Sequence, residues 1–391
     1  MSQRPWRRWL VLIVALLVVA AYVKAATNAW YEHNDFHCFW AAGRLVADGV
    51  DPYDPLRYQA MVAGGGPITE RTIIECGARF PFPPWTVLLL APFGALPLPL
   101  AATLWTALFI AATALGLAWS WSLAGGGRRR LAMFLVLVLS SEPFLLALQN
   151  AQFGALSLAL FSGGLVLMRQ HRDLSAGAVL AALAIKPQIV LVSLPATLVR
   201  AGIRGRGGVM IGAIVAAVVG TVVSILVLPG SIPVLAGYAS RSVGVAVPLA
   251  SLWDLGAALG LPLLAPIALV VLGLVVFTLL VGRAVDDATF AGIAVAFSLA
   301  LTPYAWSYDY VLLALPWALT LGRVPAIAGR RGTLVLVLQV IVASPLAWGL
   351  YLLAFSRGGE TLSPIVPALS AVLLALAVRW DTSSSVPQHG S

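Results

Sequence analysis

The sequence predicts an all-α protein, a polytopic transmembrane helical bundle of about 12 spans. Two observations carry this reading. The chain of 391 residues is 60% hydrophobic and only 10% charged, whereas soluble domains carry roughly 25% charged residues. A soluble fold this apolar would have little surface to present to water. Several apolar runs also reach the ~20 residues that a helix needs to cross the hydrocarbon core. Helices satisfy their own backbone groups in lipid, and the short alternating segments of a transmembrane barrel are absent. The net charge of +9 fits arginines that flank spans on the cytoplasmic side. These residues occur singly or in short clusters, without the concentrated basic face of a nucleic-acid binder, and nucleic acid is not expected as a partner.

The elements follow in chain order. "RPWRR" at 4–8 precedes the apolar run 9–27, so the first span runs from inside to outside as an uncleaved anchor. The loop 28–82 then lies outside. It is the longest polar segment and holds seven of the 15 acidic residues, as well as both cysteines, Cys38 and Cys76. The cysteines either stay free or, in an extracytoplasmic loop, pair as a disulfide. Phe36 to Val46 reads as a short amphipathic helix lying at the interface. "DPYDP" at 51–55 ends it, with Asp51 and Asp54 capping turns. Pro83 and Pro84 suit a helix start. The apolar run after them is too short to cross and is read as dipping into the outer face.

Residues 98–122 cross inward to "GGGRRR" at 125–130, 131–148 cross outward, and 153–169 return to "RQHRD". This order keeps the triple arginine inside, as the charge rule requires. Lys186 and Pro187 then interrupt one apolar run. Broken helices in membranes line a cavity or a site, so two short tilted halves are expected to meet at the outer face with Lys186 at the tip. Residues 208–229 cross outward to a second outer loop, about 230–260. The remaining spans fall near 262–282, 288–302, 309–322, 333–355 and 362–379. Residues 1–380 read as a single integral membrane domain, and 381–391 as a polar cytoplasmic tail.

The common soluble motifs are missing: no Gly-rich phosphate loop, no HExxH, no CxxC. His33 and His37 flank Asp35 in a pattern that can ligate a metal, but solvated loop side chains explain it more simply, and no metal or cofactor is assigned. The polar residues expected at the outer face form a set: Asp35, Arg79, Asn150, Gln152, Lys186, Arg241, Tyr304, Trp306, Tyr308 and Asp309. Lysine and arginine bind phosphate oxygens, aromatic faces stack on sugar rings, and a carboxylate can take a hydroxyl proton. Plainer roles stand beside these. Lys186 can snorkel, Asn150 and Gln152 can cap a helix, and Trp306 and Tyr308 fit an interfacial aromatic belt. Glu142, an acid placed within a span, is a functional suspect by default.

Four blocks in order, "NDFHCFWAAGRLVADGVDPYDP", "FPFPPWTVLLLAPFGALPLPL", "QNAQFGALSLALFSGGLVLMRQHRDLSAGAVLAALAIKP" and "LTPYAWSYDYVLLALP", resemble glycosyltransferase family 87. They span 34–316. That family belongs to the GT-C fold superfamily and includes polyprenyl-phosphate-mannose-dependent alpha-1,2-mannosyltransferases. The resemblance implies a GT-C type bundle and a general-base carboxylate just after the first span, which is Asp35 here. It implies a polyprenyl-phosphate sugar donor, with Lys186 in the matching Lys-Pro near its phosphate and Arg241 assisting; Arg79, from the outer-face set, is a further candidate for that phosphate. Asn150, Gln152, Tyr304, Trp306, Tyr308 and Asp309 would serve sugar or acceptor. The family's late block often carries histidine after the tryptophan, where this chain has "WSYDY".

The expected function is therefore transfer of a sugar, mannose by analogy, to a lipid or glycan acceptor on the extracytoplasmic face, with inversion. Arabinose and glucose donors are alternatives. A transporter or flippase of lipid-linked sugars is the rival class, but transporters usually show inverted repeats, and none is visible. The abundance of alanine, glycine and arginine with little lysine suggests a bacterial source, and hence the plasma membrane.

Overall fold

The computed structural model describes residues 34–64, 76, 80–231, 249–261, 263–281, 285–356 and 358–381. The first span at 9–27, His33, Arg79, Arg241 and the tail after Asp381 lie outside the described residues. Within them the regular structure is helical, with one isolated bridge between Ile327 and Asp381.

The expected count of about 12 spans is not confirmed. Among the described residues, three helices are long and apolar enough to cross a membrane: Leu98–Ala124, Gly207–Val227 and Gly329–Ala354. Arg128–Leu139 and Glu142–Gln149, bent by 55° at their junction, make a fourth if taken together. The remaining apolar helices, among them Gly154–Arg169, Asp287–Leu301 and Ile365–Trp380, have 10–17 residues. At 1.5 Å per residue such helices reach roughly 15–26 Å, short of the ~30 Å core. Apolar runs are longer than the helices they contain, because proline, glycine and polar turns cut them. Pro345 shows a milder outcome: the backbone widens to a π turn over Val342–Leu346 and the helix continues, as such bulges commonly do.

The chain groups into two compact units. One comprises Met1–Ala114, Ala147–Leu156 and Val218–Ser240, and the other Leu115–Leu146, Ser157–Ala217 and Arg241–Ser391. The expected amphipathic segment in the first unit is the helix Asp35–Ala47. Asn34 caps it by accepting from the Phe36 amide, and Asp35 opens its first turn, where the helix dipole favours a carboxylate. Asp51 accepts from the Tyr53 amide, and Asp54 caps the next helix, Pro55–Val62, the turn roles expected of both. The short apolar run becomes the helix Pro84–Gly94, with Pro84 in its first turn.

The two helices Asp35–Ala47 and Pro84–Gly94 cross with their backbones touching. A Cβ on Gly43 would overlap the Leu90 carbonyl, and one on Gly94 would overlap Gly43 and the Arg44 amide. Glycine is needed at both positions because nothing else lets the main chains approach so closely. Phe39 of the first of these helices belongs to an aromatic cluster. Phe39 and Phe153 have ring centroids 4.8 Å apart, and Trp105 meets Phe153 edge-on at 5.2 Å. Phe39 and Phe82 pack at 5.4 Å.

In the second unit the helix Asp287–Leu301 is buried along nearly its whole length. It packs on Ile365–Trp380, Ser193–Ile203 and Ala314–Arg323. Ser298 on this helix donates its hydroxyl proton to the Ile189 carbonyl at 3.0 Å and accepts from the Val192 amide at 3.1 Å. The interrupted stretch around Lys186 is thus tied to the central helix by one side chain, which satisfies backbone groups that a broken helix leaves open. At its start the same helix anchors arginines: Arg200 and Arg204 pair with Asp287 at 3.0 and 3.2 Å.

Gly94→Ala forces the Asp35–Ala47 and Pro84–Gly94 helices apart and should destabilise the protein by about 1–3 kcal/mol, the usual effect of overpacking. Thermal unfolding in detergent reads this directly. A melting temperature equal to wild type would contradict the backbone contact.

Candidate active site

In the first unit the site is built where a turn, 149–153, meets the start of the Asp35–Ala47 helix. The Asn34 side-chain amide donates to the Gln149 carbonyl at 3.2 Å. Ala151 takes a left-handed conformation, φ 54°, which a residue with a Cβ adopts at a cost of roughly 1–2 kcal/mol. The indole of Trp105 holds this residue by donating to its carbonyl at 2.7 Å. The Gln152 amide N–H bonds back to the Ala147 carbonyl at 3.0 Å. This reversal points the Gln152 side chain at the helix start, where its Nε2 donates to Asp35 Oδ2. Gln152 is 3% exposed, while Asp35 and Asn150 are half-buried.

One turn along from Asp35, Cys38 forms a disulfide with Cys76, with Cα atoms 5.4 Å apart. Of the two alternatives open for these cysteines, the structure has the bridge. A link across 38 residues contributes roughly 3–4 kcal/mol on the loop-entropy account. Tyr58, fully buried, donates its hydroxyl to the Cys76 carbonyl at 3.4 Å. Burial first, and then the charge of Asp35, hold its phenol well above the ordinary range.

In the second unit the apolar run breaks at Lys186, between the short 3-10 turns Ala182–Ile185 and Pro187–Val190. Lys186 is 1% exposed, so it does not snorkel to water. Its Nζ lies 2.5 Å from Asp309 Oδ1 and 4.8 Å from the centre of the Tyr308 ring. Asp309 also accepts from the Trp306 amide at 3.3 Å, and the Trp306 and Tyr308 rings stack at 6.3 Å. Lys186, Trp306, Tyr308 and Asp309 are therefore brought together. Tyr304 sits half-buried on the same segment, which is pinned by the Ala250 amide donating to the Ala305 carbonyl at 2.9 Å. The two residues that stand where histidine was expected supply a counterion and a π-face to the lysine.

Sequence reasoning missed Ser307 and Glu360. The Ser307 amide donates to Glu360 Oε2 at 2.6 Å, and its hydroxyl donates to Glu142 Oε1. Glu142 and Glu360 are 1% and 8% exposed. Two buried acids thus hold the residue between Trp306 and Tyr308 in place. Glu142 was marked by its position within an apolar run. Glu360 carried the same signal more weakly, as an acid in the short connection between two apolar helices. Burial pushes the Glu360 carboxyl up to about 7; the two Ser307 hydrogen bonds oppose this and the Asp309 charge adds to it. Among the described residues, no three His, Cys, Asp or Glu side chains group as metal ligands do.

The sequence profile of Glycosyltransferase family 87 matches residues 80–303, more than half of the chain. The protein belongs to this family and is a glycosyltransferase. Asn150, Gln152 and Lys186 lie within the matched stretch, whereas Asp35 and the segment 304–309 lie outside it. No curated protein and no solved structure matches the chain.

Two predictions rest on these contacts. Removing one partner of the buried pair strands a charge, so Lys186→Met or Asp309→Leu alone should each destabilise by about 3–5 kcal/mol. The double variant should recover most of that loss. Purely additive losses on denaturant unfolding would contradict the pairing. For Glu360 the native pKa lies above that of the unfolded chain, so its contribution to stability is complete below about 4.5 and is lost as pH rises through about 7. The groups that share its field are Glu142, Asp309, Tyr310 and Tyr351. Melting temperatures taken between pH 5 and 8 should fall for wild type, and part of that fall should be missing in Glu360→Gln.

Proposed function

We propose that this family 87 glycosyltransferase transfers a sugar, mannose by analogy, from a polyprenyl-phosphate donor to a lipid or glycan acceptor on the extracytoplasmic face of a bacterial plasma membrane. Asp35 is the general base. The observation that carries this is the placement of Asp35: an acid at a helix start, half-buried, and oriented by the Gln152 amide. The Cys38–Cys76 bridge supports the outside location, since disulfides persist in oxidising compartments.

In this reading the acceptor hydroxyl gives its proton to Asp35 as its oxygen bonds to the anomeric carbon. The bond from that carbon to the phosphate oxygen breaks, its electron pair leaves with the polyprenyl phosphate, and configuration inverts. Lys186, with Arg241 and Arg79, offsets the charge on the departing phosphate. Lys186 already neutralises Asp309, so the phosphate shares this cation rather than meeting it bare. Asn150, Tyr304, Trp306 and Tyr308 contact sugar or acceptor, the stacked rings offering a platform. Polyprenyl phosphate is a good leaving group, and the reading calls on no metal.

Purified protein given polyprenyl-phosphate [¹⁴C]mannose and a bacterial lipid extract should form labelled glycolipid. Asp35→Ala should lose roughly 10²–10⁴-fold of that turnover, the share a general base supplies, while remaining folded. Wild-type turnover in the variant would remove Asp35 as base. Label with an arabinose or glucose donor instead would correct the sugar. Vesicle translocation of the donor without any transfer would favour the flippase class.

A further inference from the structure

We propose that Gln152 is a positioning residue for the transfer reaction, acting through Asp35 rather than on the sugar; the inference rests on Asp35 being the base. Three features point to it. The Gln152 side chain is 3% exposed and its amide nitrogen is engaged with Asp35 Oδ2, so the group is aimed at a carboxylate and not at open space. Its backbone is held independently: Gln152 N bonds to Ala147 O, Trp105 bonds to Ala151 O, and Phe153 packs into the aromatic cluster. Ala151 accepts a left-handed conformation to make this reversal, and strain of this kind persists only where surrounding contacts over-determine it.

The chemistry follows from the donor. A neutral amide N–H that occupies Oδ2 favours the ionised carboxylate and fixes its plane. The carboxylate then meets the acceptor hydroxyl in a single orientation. The cluster also explains why the position carries glutamine. An acid there would place two carboxylates at hydrogen-bond distance, and one proton would have to be shared between them. Among the described residues, Tyr58 from the Pro55–Val62 helix senses the Asp35 charge, and its buried phenol stays neutral across the working range.

The test uses the full-length enzyme with whichever polyprenyl-phosphate sugar wild type turns over. Gln152→Ala should lower kcat by about ten- to a hundredfold, the scale of a misoriented catalytic group, with KM for donor and acceptor within about twofold. A residue that bound sugar would instead raise KM. Gln152→Glu keeps the shape and supplies a new readout. Its carboxylic acid can donate to Asp35 only while protonated, so its kcat should fall as pH rises, in a range where wild type is flat. Should Gln152→Ala fail to fold, the glutamate variant alone decides. Raised KM with unchanged kcat, or a pH profile for Gln152→Glu that follows wild type, overturns the inference while Asp35→Ala, inactive beside it, keeps the base assignment. Full activity of Asp35→Ala overturns both.

Discussion

An apolar chain has few places to put a charge, and each charge it buries must find its partner within the protein. That constraint organises this structure. Lys186 meets Asp309, Arg200 meets Asp287, Glu142 and Glu360 converge on Ser307, and Asp35 meets Gln152. Each contact joins residues far apart in sequence, so each also fixes how two segments pack. Packing of apolar surfaces alone tolerates small slips. A buried ion pair or a hydrogen-bonded carboxylate does not, because an unpaired partner costs several kcal/mol. Polar contacts therefore set the register of segments that apolar contacts merely hold together.

How much of this was legible in the sequence depends on whether the signal was local. The helix at 35–47, the turns at Asp51 and Asp54, the start at Pro84 and the break at Lys186 were all readable, because caps, prolines and interrupted apolar runs act within a few residues. Span number was not. Hydropathy reports where a chain avoids water, and it overstates helix length wherever proline or glycine ends the helix inside the run. The pairing of Lys186 with Asp309 was invisible because 123 positions separate them and either residue alone suits a phosphate or a sugar. Glu360 was passed over for the same reason: its partner is the backbone of Ser307, and a backbone group leaves no mark in a sequence. The cysteine bridge stood between these cases, since two cysteines in one outer loop allow a bond without requiring it.

The two units differ in kind. The first presents one carboxylate, oriented by an amide on a strained turn and fastened one turn later by a disulfide. The second gathers a cation, two stacked aromatic rings and three buried acids around the segment 304–309. The departure at Tyr308 and Asp309 from the family's usual histidine becomes intelligible in this setting. A lysine buried to 1% exposure needs an anionic partner, which aspartate supplies and histidine, neutral or cationic, does not. Tyr308 and Asp309 are accommodated by their surroundings, the one as a π-face and the other as a counterion to the lysine.

The proposed reaction is a single displacement in which Asp35 removes the acceptor proton while the phosphate leaves. Product stereochemistry tests it most directly. The anomeric configuration of the purified product, read by NMR from the anomeric proton and carbon, is compared with that of the polyprenyl-phosphate donor. Inversion at that carbon is expected. Retention would contradict a single back-side displacement by the acceptor oxygen.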